Sequence, residues 1–215
     1  MAVSAVTAKN GVRSTAESVG QQSEFARLID RHIPADGIHA SAIPRLVLIR
    51  ASEPSEPLPT VYDPAVCVVA QGQKQVMLAD EVYVYDPEKY LVVTVDLPVV
   101  GQVIEATPAQ PYLCLKLDLD PGQLSALMME VGQGIPRNPK ADCLGLGLAI
   151  SPVEPALLDA VVRLLRLLET PQDIPILAPL IEREILYRLL FGEYSERLRQ
   201  IALADSRMVS VSRAI

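Results

Sequence analysis

The sequence predicts an α+β chain, a small antiparallel β-barrel or sandwich followed by a helical half. Three observations carry this. Pro64–Pro98 packs three apolar runs and two turn signals into one short span, which reads as a β-meander. Leu113, Leu115, Leu117 and Leu119 alternate with Tyr112, Cys114, Lys116 and Asp118, the period of a strand with one face in a core. After Asp120–Pro121 the period becomes three or four, with Leu124, Leu127, Met128 and Val131 on one helical face.

Taken in order, residues 1–21 are small and polar, lack the continuous apolar centre of a secretion signal, and read as a disordered tail. Glu24–Ile33 places Phe25, Leu28, Ile29 and Ile33 at helical spacing, and Pro34 closes that helix. Gly37–Ala42 and Arg45–Ala51 read as strands, and Ser52–Pro59 as a proline-punctuated loop. Within the meander, the Val-rich run Ala65–Ala70 ends at the turn Gln71–Gly72–Gln73. Val76–Leu78 and Val82–Tyr85 flank Ala79–Asp80–Glu81, and Asp86–Lys89 leads into Tyr90–Val95. Val99–Ala106 and Pro111–Leu119 complete the strands.

The helical half opens with Pro121 near its first turn and Gly132 just past its end. Gly132–Asp142 is a Gly/Pro/Asn loop, and Cys143–Ile150 is either a short strand or an irregular apolar segment. Ser151–Glu154 has capping-box spacing before Pro155–Leu168, a helix so rich in leucine that it needs burial on two sides. One side can cover the strands. The other can meet a second copy, with Leu157, Val161, Leu164, Leu165 and Leu168 as candidate dimer contacts. Ile176–Gly192 and Tyr194–Ala204 follow as helices, with Glu184 and Arg188 four apart in the favourable order. No period repeats along the chain, which argues against a solenoid or propeller.

Composition bounds the function. Half of the 215 residues are apolar and the mean hydropathy is +0.26, enough for a core without disulfides or metal. Apolar stretches are interrupted before they reach the roughly 18–20 residues that span a bilayer, so a membrane role is not expected. Cys67, Cys114 and Cys143 are odd in number and far apart, which suits small buried hydrophobes in a reducing cytoplasm. A formal charge of −7 repels phosphate backbones, so these residues alone are a poor nucleic-acid binder.

The search for chemistry returns no catalytic set, metal site or cofactor. His32 and His39 stand seven apart with no third ligand type clustered beside them, and read as ordinary histidines. Gly145-x-Gly147 lacks the third glycine of a dinucleotide loop, and Cys143 reads as packing. Glu182 and Glu184 lie two apart on a helix, pointing away from each other, which suits solvation. What remains is a set of polar or aromatic residues in strands: Gln71, Lys74, Tyr83, Tyr85, Tyr90, Thr94 and Lys116. They are either an amphipathic strand surface or the hydrogen-bonding tips of a pocket that binds a small organic effector. The aliphatic surroundings suit a moderately apolar molecule with a carbonyl or hydroxyl group better than a sugar or nucleotide.

Several ordered segments resemble one family. Gly72-x-Lys74, Tyr85–Asp86–Pro87, Tyr90–Leu91–Val92, Val95–Pro98, Ala106–Thr107–Pro108 with Pro111–Tyr112, and Leu117–Pro121 are similar to the amino-terminal domain of an AraC-type transcription regulator subfamily. Leu157–Leu165, Leu177–Leu190 and Leu198–Arg199–Gln200 extend the resemblance, which covers roughly residues 22 to 215. Relatives tend to carry glycine where Ala79 and Glu88 stand. The resemblance implies a cupin-like β-barrel that binds an effector, a helical segment that forms a homodimer, and two helix-turn-helix units beyond Ile215 through which DNA is bound. The expected divisions are a tail at 1–21, the helix and barrel at 22–120, the helical dimer segment at 121–205, and the approach to the DNA-binding units at 206–215. The chain is then a non-enzymatic, cytoplasmic sensing domain. Two other readings stand beside it: a metal-independent cupin-like enzyme, such as an isomerase with Lys74, Tyr85 or Tyr90 as acid or base, and a dimerisation module with a filled barrel.

Overall fold

The computed structural model describes residues 19–132, 147–192 and 198. Helix α1 covers residues 19–32, so the expected tail yields residues 19–21 to a helix. Nine strands follow: β1 (Gly37–Ala40), β2 (Leu46–Ala51), β3 (Leu58–Tyr62), β4 (Ala65–Gln71), β5 (Gln73–Leu78), β6 (Glu81–Tyr85), β7 (Lys89–Val93), β8 (Leu97–Glu105) and β9 (Tyr112–Asp118). Then come α2 (Pro121–Val131), β10 (Leu148–Pro152), α3 (Pro155–Arg166), two short 3₁₀ turns and α4 (Ile174–Phe191).

The strands pair antiparallel into a six-stranded sheet of order β1-β2-β9-β4-β7-β10 and a four-stranded sheet of order β3-β8-β5-β6. The expected barrel is therefore open. Among the described residues the two sheets keep separate edges, because β6 ends in an isolated Asp86–Lys89 bridge and β7 then pairs with β4 and β10 instead.

Alternation along the large sheet builds two cores. Val66, Val68 and Ala70 of β4 and Leu113, Leu115 and Leu117 of β9 face the helices, where they meet Phe25, Leu28, Ile29 and the buried sides of α2, α3 and α4. Cys67, Val69, Tyr112 and Cys114 face the small sheet and pack against Val76, Tyr85, Val99 and Val103. The order is small sheet, large sheet, helices.

The chain passes between sheets at Gly72, with φ of 78° and bulges on either side at Val69/Gln71 and Gln73/Lys74. A Cβ at Gly72 would lie 2.5 Å from the Glu105 carbonyl oxygen and 3.0 Å from Tyr112 Cα, so only glycine fits. Ala70 carries no register partner at the bulge, and the Gln22 amide of α1 donates to its carbonyl at 2.8 Å.

Several sequence expectations change. The loop assigned to Ser52–Pro59 gives its last two residues to β3, an edge strand that tolerates Pro59. Ser151 and Pro152 form no capping box; they belong to β10, and Glu154 caps α3 without a side-chain hydrogen bond. The segment from Cys143 falls partly outside the described residues, as does Tyr194–Ala204 except for the buried Leu198. Glu182 is buried rather than solvated, because Arg45 donates to it from the start of the β2 segment. The same guanidinium donates to Asp120 at 2.8 Å, and Asp120 caps α2 by accepting from Gln123 N at 3.0 Å.

α3 and α4 are tied by Glu184, which accepts from Arg163 at 2.6 Å and also from Arg188. The Arg163 hydrogen bond lowers the Glu184 carboxyl pKa, burial opposes that shift, and Arg188 adds to it.

Two predictions follow from these local geometries. Gly72→Ala is expected to lower stability by more than about 1 kcal/mol, whereas Ala79→Gly, relieving a φ of 52° in the two-residue β5–β6 loop, is expected to raise it by up to about 1 kcal/mol; urea unfolding midpoints measure both. Because the folded Glu184 pKa is depressed, its stabilisation is complete above the unfolded value of about 4.3 and is lost as pH falls through the folded one. Glu184→Gln is expected to flatten the acid limb of a stability-against-pH curve, and an unchanged slope would remove this account.

Candidate functional site: an inter-sheet cavity

A partly enclosed cavity of about 210 Å³ lies between the sheets on the β1–β2 side. Val47 and Ile49 of β2, Val61 of β3 and Val93 of β7 supply aliphatic wall. Tyr62, Cys67, Lys74, Tyr85 and Lys116 supply the polar tips, and Asp63 lies at the exposed edge.

The register explains this convergence. Lys116, in the central strand β9, pairs across with Val47 on one side and Cys67 on the other, so all three point toward the small sheet. Lys74 of β5 is the cross-strand partner of Tyr85 in β6, so these two reach back from the opposite sheet. Gly101 of β8 makes room for Lys74 and Tyr62, since a Cβ there would lie 3.2 Å from Tyr62 Oη and 3.4 Å from Lys74 Cε.

The electrostatics are asymmetric. Lys116 Nζ lies 2.5 Å from Asp118 Oδ1, so its charge is largely answered. Burial opposes the Lys116 charge, and Asp118 reverses that effect and raises the pKa. Lys74 is half-buried and, among the described residues, makes no ion pair; its ammonium faces the Tyr62 ring at 5.5 Å. Burial works against the Lys74 charge, and the neighbouring Tyr62, through its charge when ionised and through a hydrogen bond, raises the Lys74 pKa against it. Burial pushes the Tyr62 and Tyr85 phenols up, and a hydrogen bond with Cys114 together with burial pushes the Cys67 thiol up. All three are protonated at neutral pH.

Of the seven residues singled out in the sequence, Lys74, Tyr85 and Lys116 meet at this cavity. The other four lie elsewhere. Gln71 donates to the Pro111 carbonyl at 2.8 Å and braces the corner between sheets. Tyr83 packs beside the inter-sheet core and donates to Glu81 at its own strand's end. Thr94 is buried and donates to the Gly147 carbonyl at 3.2 Å. Tyr90 faces the helices and lines a larger groove of about 440 Å³ with Leu157, Tyr187, Arg188 and Phe191. That groove is more open, and its Arg188 is already engaged by Glu184, which leaves the inter-sheet cavity as the better candidate. Sequence reading missed Tyr62, Val61, Val47 and Ile49; recognising β3 as a strand would have supplied the first two.

The leucines expected to face a second copy lie inside the chain's own core. Leu157, Val161, Leu164 and Leu165 are buried, and Leu168 is partly buried against the same cluster. The exposed apolar stripe belongs to α4 instead. Ile176 is 70% exposed and Leu180 61%, and Tyr187 and Phe191 continue the line at helical spacing with ring centroids 4.6 Å apart.

No curated protein matches the sequence. Among solved structures, an apo variant of ToxT from Vibrio cholerae is similar at 8% identity and a TM-score of 0.48, over 73% of this chain and 59% of that one. Wild-type ToxT with bound unsaturated fatty acid is similar at 8% identity and 0.43, over 74% and 55%. The chain thus spans little more than half the length of those structures, and likeness at this level carries no argument about function. The model of the AraC-type transcriptional regulator N-terminus matches residues 42–197, well over half of the sequence, from before β2 to beyond α4. The chain belongs to the AraC-type transcriptional regulator N-terminal family.

Proposed function

We propose that this chain senses a small organic effector in the inter-sheet cavity and reports its presence through α4 to a homodimer. The DNA-binding units of that dimer lie elsewhere in the polypeptide. In this reading residues 22–120 are the sensing half, an opened relative of the cupin-like barrel, and 121–205 are the reporting half. A regulator of this kind works in the cytoplasm and touches DNA only through those further units. The observation that carries the reading is the half-buried Lys74 ammonium, which lines a partly enclosed cavity and makes no ion pair among the described residues. A folded chain that merely needed to fill space would place an aliphatic side chain there.

A physical route to the helices exists. Lys116 pairs with Asp118, whose backbone N–H donates to the Arg45 carbonyl at 3.0 Å, and the Arg45 guanidinium bridges Asp120 and Glu182. An effector that binds one arrangement of this linkage more tightly than another shifts their populations, and a few kcal/mol suffices. The α4 stripe supplies a surface for the second copy, because an apolar line along an 18-residue helix is costly to leave in water.

The enzyme reading is weaker on this geometry. General acid–base work favours groups that titrate near the operating pH, and burial moves the Tyr85 phenol upward, away from neutrality.

Sedimentation equilibrium is expected to show a dimer at micromolar concentration that Leu180→Asp with Tyr187→Asp converts to a folded monomer. A small-molecule panel is expected to contain ligands that raise the melting temperature. A strictly monomeric chain whose stability no ligand class alters contradicts the proposal.

A further inference from the structure

We infer that the effector is a small monocarboxylate whose charge is received by Lys74. This rests on reading the inter-sheet cavity as the effector site. Lys74 and Lys116 both line the cavity, but Asp118 already answers Lys116, so Lys74 is the lining cation that makes no ion pair among the described residues. Asp63 at the edge adds a negative charge that disfavours a dianion such as a phosphate monoester. Lys74 is also a point charge rather than a planar fork, which suits one carboxylate oxygen better than a multidentate phosphoryl group.

The rest of the wall fixes the body of the ligand. Val47, Ile49, Val61 and Val93 offer no hydrogen bonds, and with Ile38 and Ala65 they give the cavity an aliphatic side suited to an apolar ligand body, while Thr60 adds one further hydroxyl to the polar side. Tyr62 and Tyr85 line the cavity with Lys74, Tyr62 is hydrogen-bonded to both, and burial keeps the two phenols protonated, so each carries an O–H donor. A volume of about 210 Å³ lies below the roughly 300 Å³ at which pockets for drug-sized ligands begin, which suits a short ligand. A short aliphatic or single-ring aromatic acid meets all of these conditions.

The test is isothermal titration calorimetry of the 215-residue chain with two matched pairs, benzoate against benzamide and hexanoate against hexanamide. The acids are expected to bind about ten-fold or more tightly than their amides. Lys74→Met, which keeps the aliphatic stem, is expected to bring acid and amide within about two-fold. It should also raise the melting temperature of the ligand-free protein, because an unanswered charge has been removed. Equal binding of acid and amide by the unaltered chain overturns the anion assignment while leaving the cavity as an effector site. Absence of binding by all four probes overturns both. A preference for the acids that persists in the Lys74→Met variant overturns the role given to Lys74.

Discussion

A six-stranded sheet that is apolar on both faces needs two covers, and the architecture follows from that need. In β4, Val66, Val68 and Ala70 turn to one side while Cys67 and Val69 turn to the other, and neither set can face water without cost. The helices cover the first face and the four-stranded sheet the second. Strands lie about 4.8 Å apart, so a sheet two strands narrower leaves about 10 Å of its neighbour's width to be covered by other means. The cavity sits toward that less-covered β1–β2 side, where Ile38 of β1 reaches its edge while remaining 76% exposed.

Arg45 ties the large sheet to the helices. It has a φ of 65°, a strained value for a side-chain-bearing residue, and its guanidinium ties the start of the large sheet to the cap of α2 and to the buried Glu182 of α4. A buried carboxylate that loses such a partner is left uncompensated, so the linkage holds firmly in whichever arrangement it adopts. Its backbone carbonyl also receives the N–H of Asp118, the residue that answers Lys116 in the cavity wall. The cavity wall and the helices are thus linked through one residue, which is the physical basis of the proposal that occupancy alters helix position.

Much of this was legible in the sequence, and the illegible part has physical causes. The leucine face of β9, the helix after Pro121 and the corner at Gly72 were plain because period and glycine placement are local signals. Which way Tyr85 and Tyr90 point was not, because each answer depends on the sheet that hosts the strand. Tyr85 in the small sheet looks into the inter-sheet core, and Tyr90 in the large sheet looks toward the helices. β3 escaped notice because an exposed edge strand with Pro59 carries little apolar signal. α3 resembled a dimer helix because leucines buried by their own chain give a helix the same composition as leucines shared between two chains, although Asp159, Arg163 and Arg166 keep one face of α3 toward solvent. Glu182 was invisible as a buried group, since its partner Arg45 lies far away in sequence.

The central claim is that an occupied cavity is felt by α4. Amide hydrogen exchange of the 215-residue chain, with and without saturating benzoate or hexanoate, tests it most directly. The account predicts slower exchange in Gln73–Leu78 and Tyr112–Asp118, accompanied by altered exchange in Pro121–Val131 and Ile174–Phe191. Protection confined to the strands, with both helices unchanged, would contradict it.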